Sequence, residues 1–291
     1  MKKALVIILT IAFGLLLCAC AGKKYKVLVS GIAEGGVYSA DASVEYELQN
    51  EFKQIGDVDR VYEAVINGET YSGKYVETLI SPYYRCDADI YLSTDDSGRE
   101  VEFRINRASN ELTGYSFAYR NGYAIRSDDR SYEDCYQIAL EELARRLNVD
   151  EYEPTMHEEH QKVAHVPECG NIYSFYFVRM MNGMKSNVIV WINVNTDGIV
   201  CLFSAVEAPS LDDPEDCIAF IEAMDDAEIR ESIDKKIASI YDSYDHDKLH
   251  WTVDKQLVSK LRSGKPCIQY LIDISIEGYD EPEHLSLLVL P

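Results

Sequence analysis

The stretch Ser131-Tyr-Glu-Asp-Cys-Tyr-Gln-Ile-Ala-Leu-Glu-Glu-Leu-Ala-Arg-Arg-Leu147, continued further on by Val188-Ile-Val-Trp-Ile-Asn-Val-Asn-Thr-Asp-Gly-Ile-Val-Cys-Leu-Phe-Ser204, sets how the chain is read. In its first half Tyr132, Cys135, Tyr136, Ala139, Leu140, Leu143, Ala144 and Leu147 recur at the i, i+3, i+4, i+7 spacing of a helix that buries one face. Glu133, Asp134, Gln137, Glu141, Glu142, Arg145 and Arg146 fill the other face. Ser131 is placed to cap this helix, with acids in the first turn and arginines in the last, the charge order that the helix dipole favours. The period then changes. Residues 173–181 and 188–194 are rich in β-branched and aromatic side chains and flank Asn182-Gly183, a dipeptide suited to a tight hairpin turn. Asn195-Thr-Asp-Gly198 marks a second turn into a third strand, residues 199–205. A helix followed by a three-stranded meander is predicted, the helix being available to cover one face of the sheet.

Outward from this stretch, parts of the pattern recur. Residues 61–66 and 69–78 flank Asn67-Gly68 as a second hairpin, and residues 89–93, 100–106 and 112–118 read as further strands. Val101-Glu-Phe-Arg-Ile-Asn106 followed by Leu112-Thr-Gly-Tyr-Ser116 parallels Val188-Ile-Val-Trp-Ile-Asn193 followed by residues 199–203, with Ile105 and Ile192 spaced by 192 − 105 = 87 residues. Residues 267–276 and 285–290 make a third copy. Two helices precede it, one capped by Asp213 with Pro214 in its first turn, the other starting at Asp225-Asp226. Residues 27–55 fit a strand through Val44, Tyr46 and Leu48 and a helix through Val44, Leu48, Phe52 and Ile55, and are left undecided. The expected fold is α+β, built of repeated helix plus antiparallel β-meander units. Its divisions are a signal peptide over 1–19, a lipidated tether over 20–40, a mostly-β unit over 41–125, a helix plus meander over 126–207, and helices plus strands over 208–291.

The N-terminus gives the address. Met1-Lys2-Lys3 precedes an apolar run over residues 4–17, too short for a membrane span, which takes about 20 residues, and suited to the apolar core of an export signal. The run closes with Leu17-Cys18-Ala19-Cys20, which resembles the bacterial lipobox. That resemblance implies cleavage before Cys20, diacylglycerol on its sulfur, and a protein held at the outer side of the cell membrane by more than one acyl chain. Cleavage removes two lysines and leaves 26 basic against 50 acidic residues, 26 − 50 = −24. Such a body is repelled by phosphate backbones and anionic headgroups, which argues against nucleic-acid partners. Six cysteines then remain beside Cys20, with no CxxC pair, and are expected mostly as free, buried thiols.

The helix, the link and the strand pair ending in Asn193-x-x-x-Asp197-Gly198-Ile199 resemble the PepSY and YpeB-like class of small extracytoplasmic modules. The resemblance covers residues 131–205 best, 213–290 loosely, and 61–118 only in its hairpin. It implies a helix before an antiparallel sheet and a non-enzymatic role at the cell envelope, through contact with an envelope protein or peptide. No functional residue is carried over, because the positions that match are fold-determining ones.

Chemistry is sparse. His157-Glu158-Glu159-His160, followed by His165, is the densest set of metal donors, and Asp245-His246-Asp247 with His250 forms a second polar knot. Only two residues separate His157 from His160, so the zincin spacing is missing, and prolines at 154 and 167 bracket a loop-like segment. A metal-binding protein or metal-dependent hydrolase using His157, His160 and His246 is the competing hypothesis, and no metal or other cofactor is assigned. Asn193-x-Asn195-x-Asp197-Gly198 mimics half a calcium loop but has Ser204 where the bidentate Glu belongs, so a turn is expected. There is no GxSxG, no phosphate loop and no papain-like cysteine. The 21 tyrosines suit strands, and an exposed tyrosine-lined sheet face is the expected place for a partner.

Overall fold

The computed structural model describes residues 25–32, 51–53, 59–80, 87–94, 98–118, 130–155, 164–166, 170–205, 211, 213–261, 263–279 and 281–291. Its strands before the first helix are β1 (Lys26–Ile32), β2 (Glu51–Lys53), β3 (Val61–Ile66), β4 (Glu69–Ile80), β5 (Ala88–Thr94), β6 (Glu100–Asn106) and β7 (Leu112–Phe117). Helix α1 (Tyr132–Arg146) leads to β8 (Tyr152–Pro154), β9 (Ala164–Val166), β10 (Gly170–Met181), β11 (Met184–Asn195) and β12 (Val200–Ser204). Helices α2 (Glu215–Glu222) and α3 (Asp226–Ile240) precede β13 (Leu249–Lys260), β14 (Pro266–Ile276) and β15 (Glu283–Leu290).

Both Asn-Gly pairs fold as read. Asn67 and Gly68 (φ 50° and 80°) and Asn182 and Gly183 (φ 47° and 78°) take the left-handed backbone of a two-residue hairpin turn, joining β3 to β4 and β10 to β11. Helix α1 carries the expected cap: the Asp134 amide donates to Ser131 Oγ (3.2 Å) and the Ser131 amide to Asp134 Oδ2 (3.3 Å). The N-cap of α2 is Pro214, without a side-chain cap bond, and not Asp213.

The sheet overturns the expected fold class. Fifteen strands join in one large sheet, against three α-helices among the described residues, so the fold is not a set of repeated helix plus β-meander units. The physical reason lies in the edges. The first two copies of the repeated strand pair, β6–β7 and β11–β12, meet through β7 and β12, with Leu202, Phe203 and Ser204 opposite Ser116, Tyr115 and Gly114. Each copy thereby saturates the open edge of the other, and β6–β7 needs no helix of its own. The third copy, β14–β15, is flanked by β13 and β1, and a single parallel bridge, Ser186 to Val258, ties it to β11 and makes the sheet mixed.

One face of the central strands is covered twice. Helix α1 packs on β10, β11 and β12, burying Cys135, Ala139 and Leu143. Beside it the β3–β4 hairpin folds back over the sheet. A side chain at Gly73 would lie 2.3 Å from the Phe103 ring, so only glycine permits this approach. At the hairpin tip Asn67 Nδ2 donates to the Val200 carbonyl (3.0 Å) and Asn67 Oδ1 accepts from the Val200 amide (3.3 Å). Helix α2 packs on β13 and β14, and α3 on β1.

Candidate functional site

Because side chains alternate along a strand, the strands that bury Tyr115, Phe203 and Ile192 must present their neighbours on the other face. Cross-strand register sets those neighbours in rows: Tyr176, Trp191, Ser204, Gly114 and Arg104 in one, Asn193, Leu202, Ser116 and Glu102 in the next. Trp191 is 38% exposed and Ile189 and Leu92 are also exposed, which marks this as the open face.

The missing side chain at Gly114 leaves a shallow cleft of about 140 Å³ with Ser116, Ser204 and Leu202 beside it, Trp191 at one end and the Glu102–Arg104 pair at the other. Trp191 is held firmly. Its ring stacks on Tyr176 at 5.7 Å between centroids and 15° between planes, and Nε1 donates to Asn193 Oδ1 at 2.7 Å. Arg104 donates through Nε and Nη2 to Glu102 Oε1 at 3.2 and 3.1 Å. Burial raises the Tyr176 phenol above its usual value, with the Ser174 hydrogen bond acting the other way, so the phenol is neutral and able to donate throughout the physiological range. An indole wall, two hydroxyls and a forked ion pair can hold a ligand. The cleft lining contains no histidine or cysteine to act as base or nucleophile.

On the covered face sits a different cluster. Glu142, read from the sequence as part of the polar side of α1, is 1% exposed. It accepts from Tyr115 Oη (3.0 Å), from Arg146 Nε (2.5 Å) and from Arg145 Nη1. The Arg146 guanidinium lies over the Tyr115 and Phe203 rings, 5.4 and 5.6 Å from their centroids, and donates to the Val65 carbonyl (2.9 Å). Burial first, and then the Glu142 charge, push the Tyr115 phenol well above its usual value. Cavities of about 590 and 320 Å³ flank the cluster, and Arg145 lines both. Both arginines are engaged by Glu142, and Arg146, which also reaches the Val65 carbonyl, clamps α1 to the β3–β4 hairpin.

The residues singled out in the sequence are dispersed. Cys20, His157 and His160 lie outside the described residues. His165 lies on β9 opposite Asn171, His246 sits exposed in a 3-10 turn before β13, and His250 is exposed on β13. Among the described residues no group of three or more His, Cys, Asp or Glu is placed to hold a metal ion. Asn193 and Asn195 are engaged locally, Asn193 with Trp191 and Asn195 Oδ1 with the Ile199 amide at 2.8 Å, as a turn requires. Asp89 is buried between Arg60 (2.8 Å), Arg107 (3.4 Å) and the Thr78 hydroxyl (2.7 Å). Cys135, Cys201, Cys217 and Cys267 are buried, and burial raises the Cys135 thiol to about 11. Sequence reasoning missed the cleft. Its only signal was Gly114 inside a strand otherwise filled by larger residues.

No protein-family model matches the chain, and none of the curated proteins does. Among solved structures the Bacillus megaterium YpeB C-terminal domain is a weak structural neighbour, with a TM-score of 0.34 and 13% identity over 81% of this chain and 85% of that one. No helix among the described residues is long and apolar enough to cross a membrane.

Proposed function

We propose that the chain is a lipid-anchored, extracytoplasmic binding module without catalytic activity, and that the open face around Trp191 is its contact surface for an extended segment of an envelope protein. The anchoring half of this reading is supported by Leu17-Cys18-Ala19-Cys20 after a basic start and a short apolar run. The binding half is supported chiefly by one observation. A tryptophan locked by Tyr176 and Asn193 stands half-exposed over a glycine-floored cleft, where a solvated sheet face would ordinarily place a smaller polar residue. Rigid, pre-positioned aromatic side chains are efficient contact residues because little side-chain freedom is lost when a partner docks.

A photo-crosslinking residue at position 204 of the full chain, used in intact cells, tests the surface. A discrete protein adduct that disappears with Trp191→Ala is the expected result, and no adduct, or one indifferent to Trp191, sinks the binding half. Metabolic labelling with palmitate tests the anchor. Label in the wild-type chain and none in Cys20→Ala is expected, and an unlabelled wild type refutes it.

A further inference from the structure

We propose that a second site, the apolar groove between α2 and the end of the sheet at Tyr25, holds an acyl chain of the lipid borne by Cys20. This rests on the lipid-anchor half of the reading above and concerns a different surface from the Trp191 cleft.

The groove has a volume of about 590 Å³, within the roughly 300–1,000 Å³ range of small-molecule sites, and is lined by Tyr25, Ala219, Phe220, Ala223, Pro266 and Pro291. Among the described residues lining it Asp216 carries the only charged side chain, and that side chain is itself exposed, at the rim. A methylene chain asks for nothing else, since it needs contact area and no hydrogen-bond partner.

Topology places this groove at the point where the chain enters the fold. Lys26 of β1 pairs with Leu290 of β15, and Pro266 opens β14 beside them, so Tyr25, Pro266 and Pro291 gather at one end of the sheet. Tyr25 is itself fixed in the wall. It is 7% exposed, its hydroxyl accepts from the Asp225 amide (2.9 Å) and donates to the Ala223 carbonyl (3.4 Å), and its ring lies 6.2 Å from Phe220.

Cys20 lies five positions before Tyr25 in the sequence. At about 3.4 Å per residue that stretch reaches at most about 17 Å, so the anchor's acyl chains cannot leave the neighbourhood of the groove. A ligand tethered this closely meets its site at an effective concentration of the millimolar order, which a free phospholipid leaving a bilayer does not match. Charge cannot supply the contact, because the body is strongly acidic. The occupant is therefore the chain's own lipid.

The chain from residue 20 onward, lipidated and as an unlipidated Cys20→Ala form made without residues 1–19, is titrated with cis-parinaric acid, a fluorescent fatty acid, without detergent. Cys20→Ala should bind one equivalent, and the lipidated wild type at least tenfold more weakly, because its groove is filled. Added in the Cys20→Ala chain, Ala219→Trp and, separately, Ala223→Trp should each weaken binding tenfold or more. Both alanines are exposed, so enlarging them leaves the core intact. Trp191→Ala should leave probe binding unchanged. Equal binding to lipidated and unlipidated chains, no binding to Cys20→Ala, or binding that survives both tryptophans overturns the proposal. An intact mass showing no lipid on the wild type overturns the anchor reading itself, and is seen separately.

Discussion

The two faces of strands β7, β11 and β12 are made from alternate residues of the same three segments, yet they do opposite work. Towards α1 and the β3–β4 hairpin, Tyr115, Phe203, Ile192 and Val190 are fully enclosed and the buried carboxylate of Glu142 has two arginines and a phenol. Towards the other side, Ser116, Ser204 and Trp191 are partly or fully solvated, and Gly114 supplies empty space. The comparison teaches that enclosure and exposure are separated here by one residue along a strand, so that, if the open face binds as proposed, stability and recognition are too. A substitution should therefore change either folding or binding, according to its parity.

The largest test of that separation is Phe203→Ala beside Ser204→Ala. Phe203 is 1% exposed and stacks on Tyr115 at 5.9 Å, so its truncation should cost about 3–5 kcal/mol, as for other core phenylalanines. Ser204→Ala should stay within about 0.5 kcal/mol, as surface changes do. Urea unfolding of the two variants measures both. Similar losses would mean that the open face is covered in solution.

Next in size is Glu142→Gln. Arg146 loses its charged partner while remaining 14% exposed against two rings, and a broken buried pair costs about 3–5 kcal/mol. We expect about 3 kcal/mol, at the low end, because Arg145 is 57% exposed and can be rehydrated. Hydrogen exchange should show the β3–β4 tip and the last turn of α1 loosened together, since Arg146 ties them through the Val65 carbonyl. A loss confined to α1 would refute the clamp.

Legibility in the sequence followed the same divide. Period and turn chemistry are local, so the capped helix at 131–147, both Asn-Gly hairpins and the start of α3 at Asp225-Asp226 were readable. The union of β7 with β12 was not, because a strand's sequence does not state which edge it will meet, and the weak repeat marks the copies without naming the strands through which they join. Glu142 misled for a related reason. On helical spacing alone it belongs to the polar side, and the sequence signal for a paired, buried carboxylate there was Arg145 and Arg146, three and four residues on. Trp191 read as one more apolar residue of a strand. Its exposure follows from the parity of that strand against α1, which requires the fold.

Alkaline pH gives a smaller and graded effect. Cys135 at about 11, with Cys217 and Tyr115 also raised, hold their protons in the native state after the unfolded chain begins to release them near about 8.5 for cysteine and about 10 for tyrosine. The native state then binds more protons, so stability is full below about pH 8.5 and falls as pH rises, by about 1.4 kcal/mol per pH unit for each proton involved. Cys135→Ala should remove about one such step between pH 9 and 11 in a pH series of urea melts. An unchanged slope would mean that this thiol is hydrated.

Smallest for folding, and sharpest for the comparison, is Trp191→Ala. The side chain is 38% exposed, and what it loses is the stack on Tyr176 together with one hydrogen bond to Asn193. Such an aromatic pair is worth about 0.5–1.5 kcal/mol beyond burial, so a cost near about 1 kcal/mol is expected. A purely structural tryptophan would show that loss and nothing else. If the open face is a contact surface, the same variant should abolish the crosslink from position 204 while its melting behaviour barely moves, and Trp191→Phe, which keeps a ring on Tyr176 but gives up the Nε1 donor, should restore most of the fold cost and part of the crosslink. Recovery of both to the same degree would mean that Trp191 serves the sheet alone, since a residue that acts only through packing has no route to the partner except through stability.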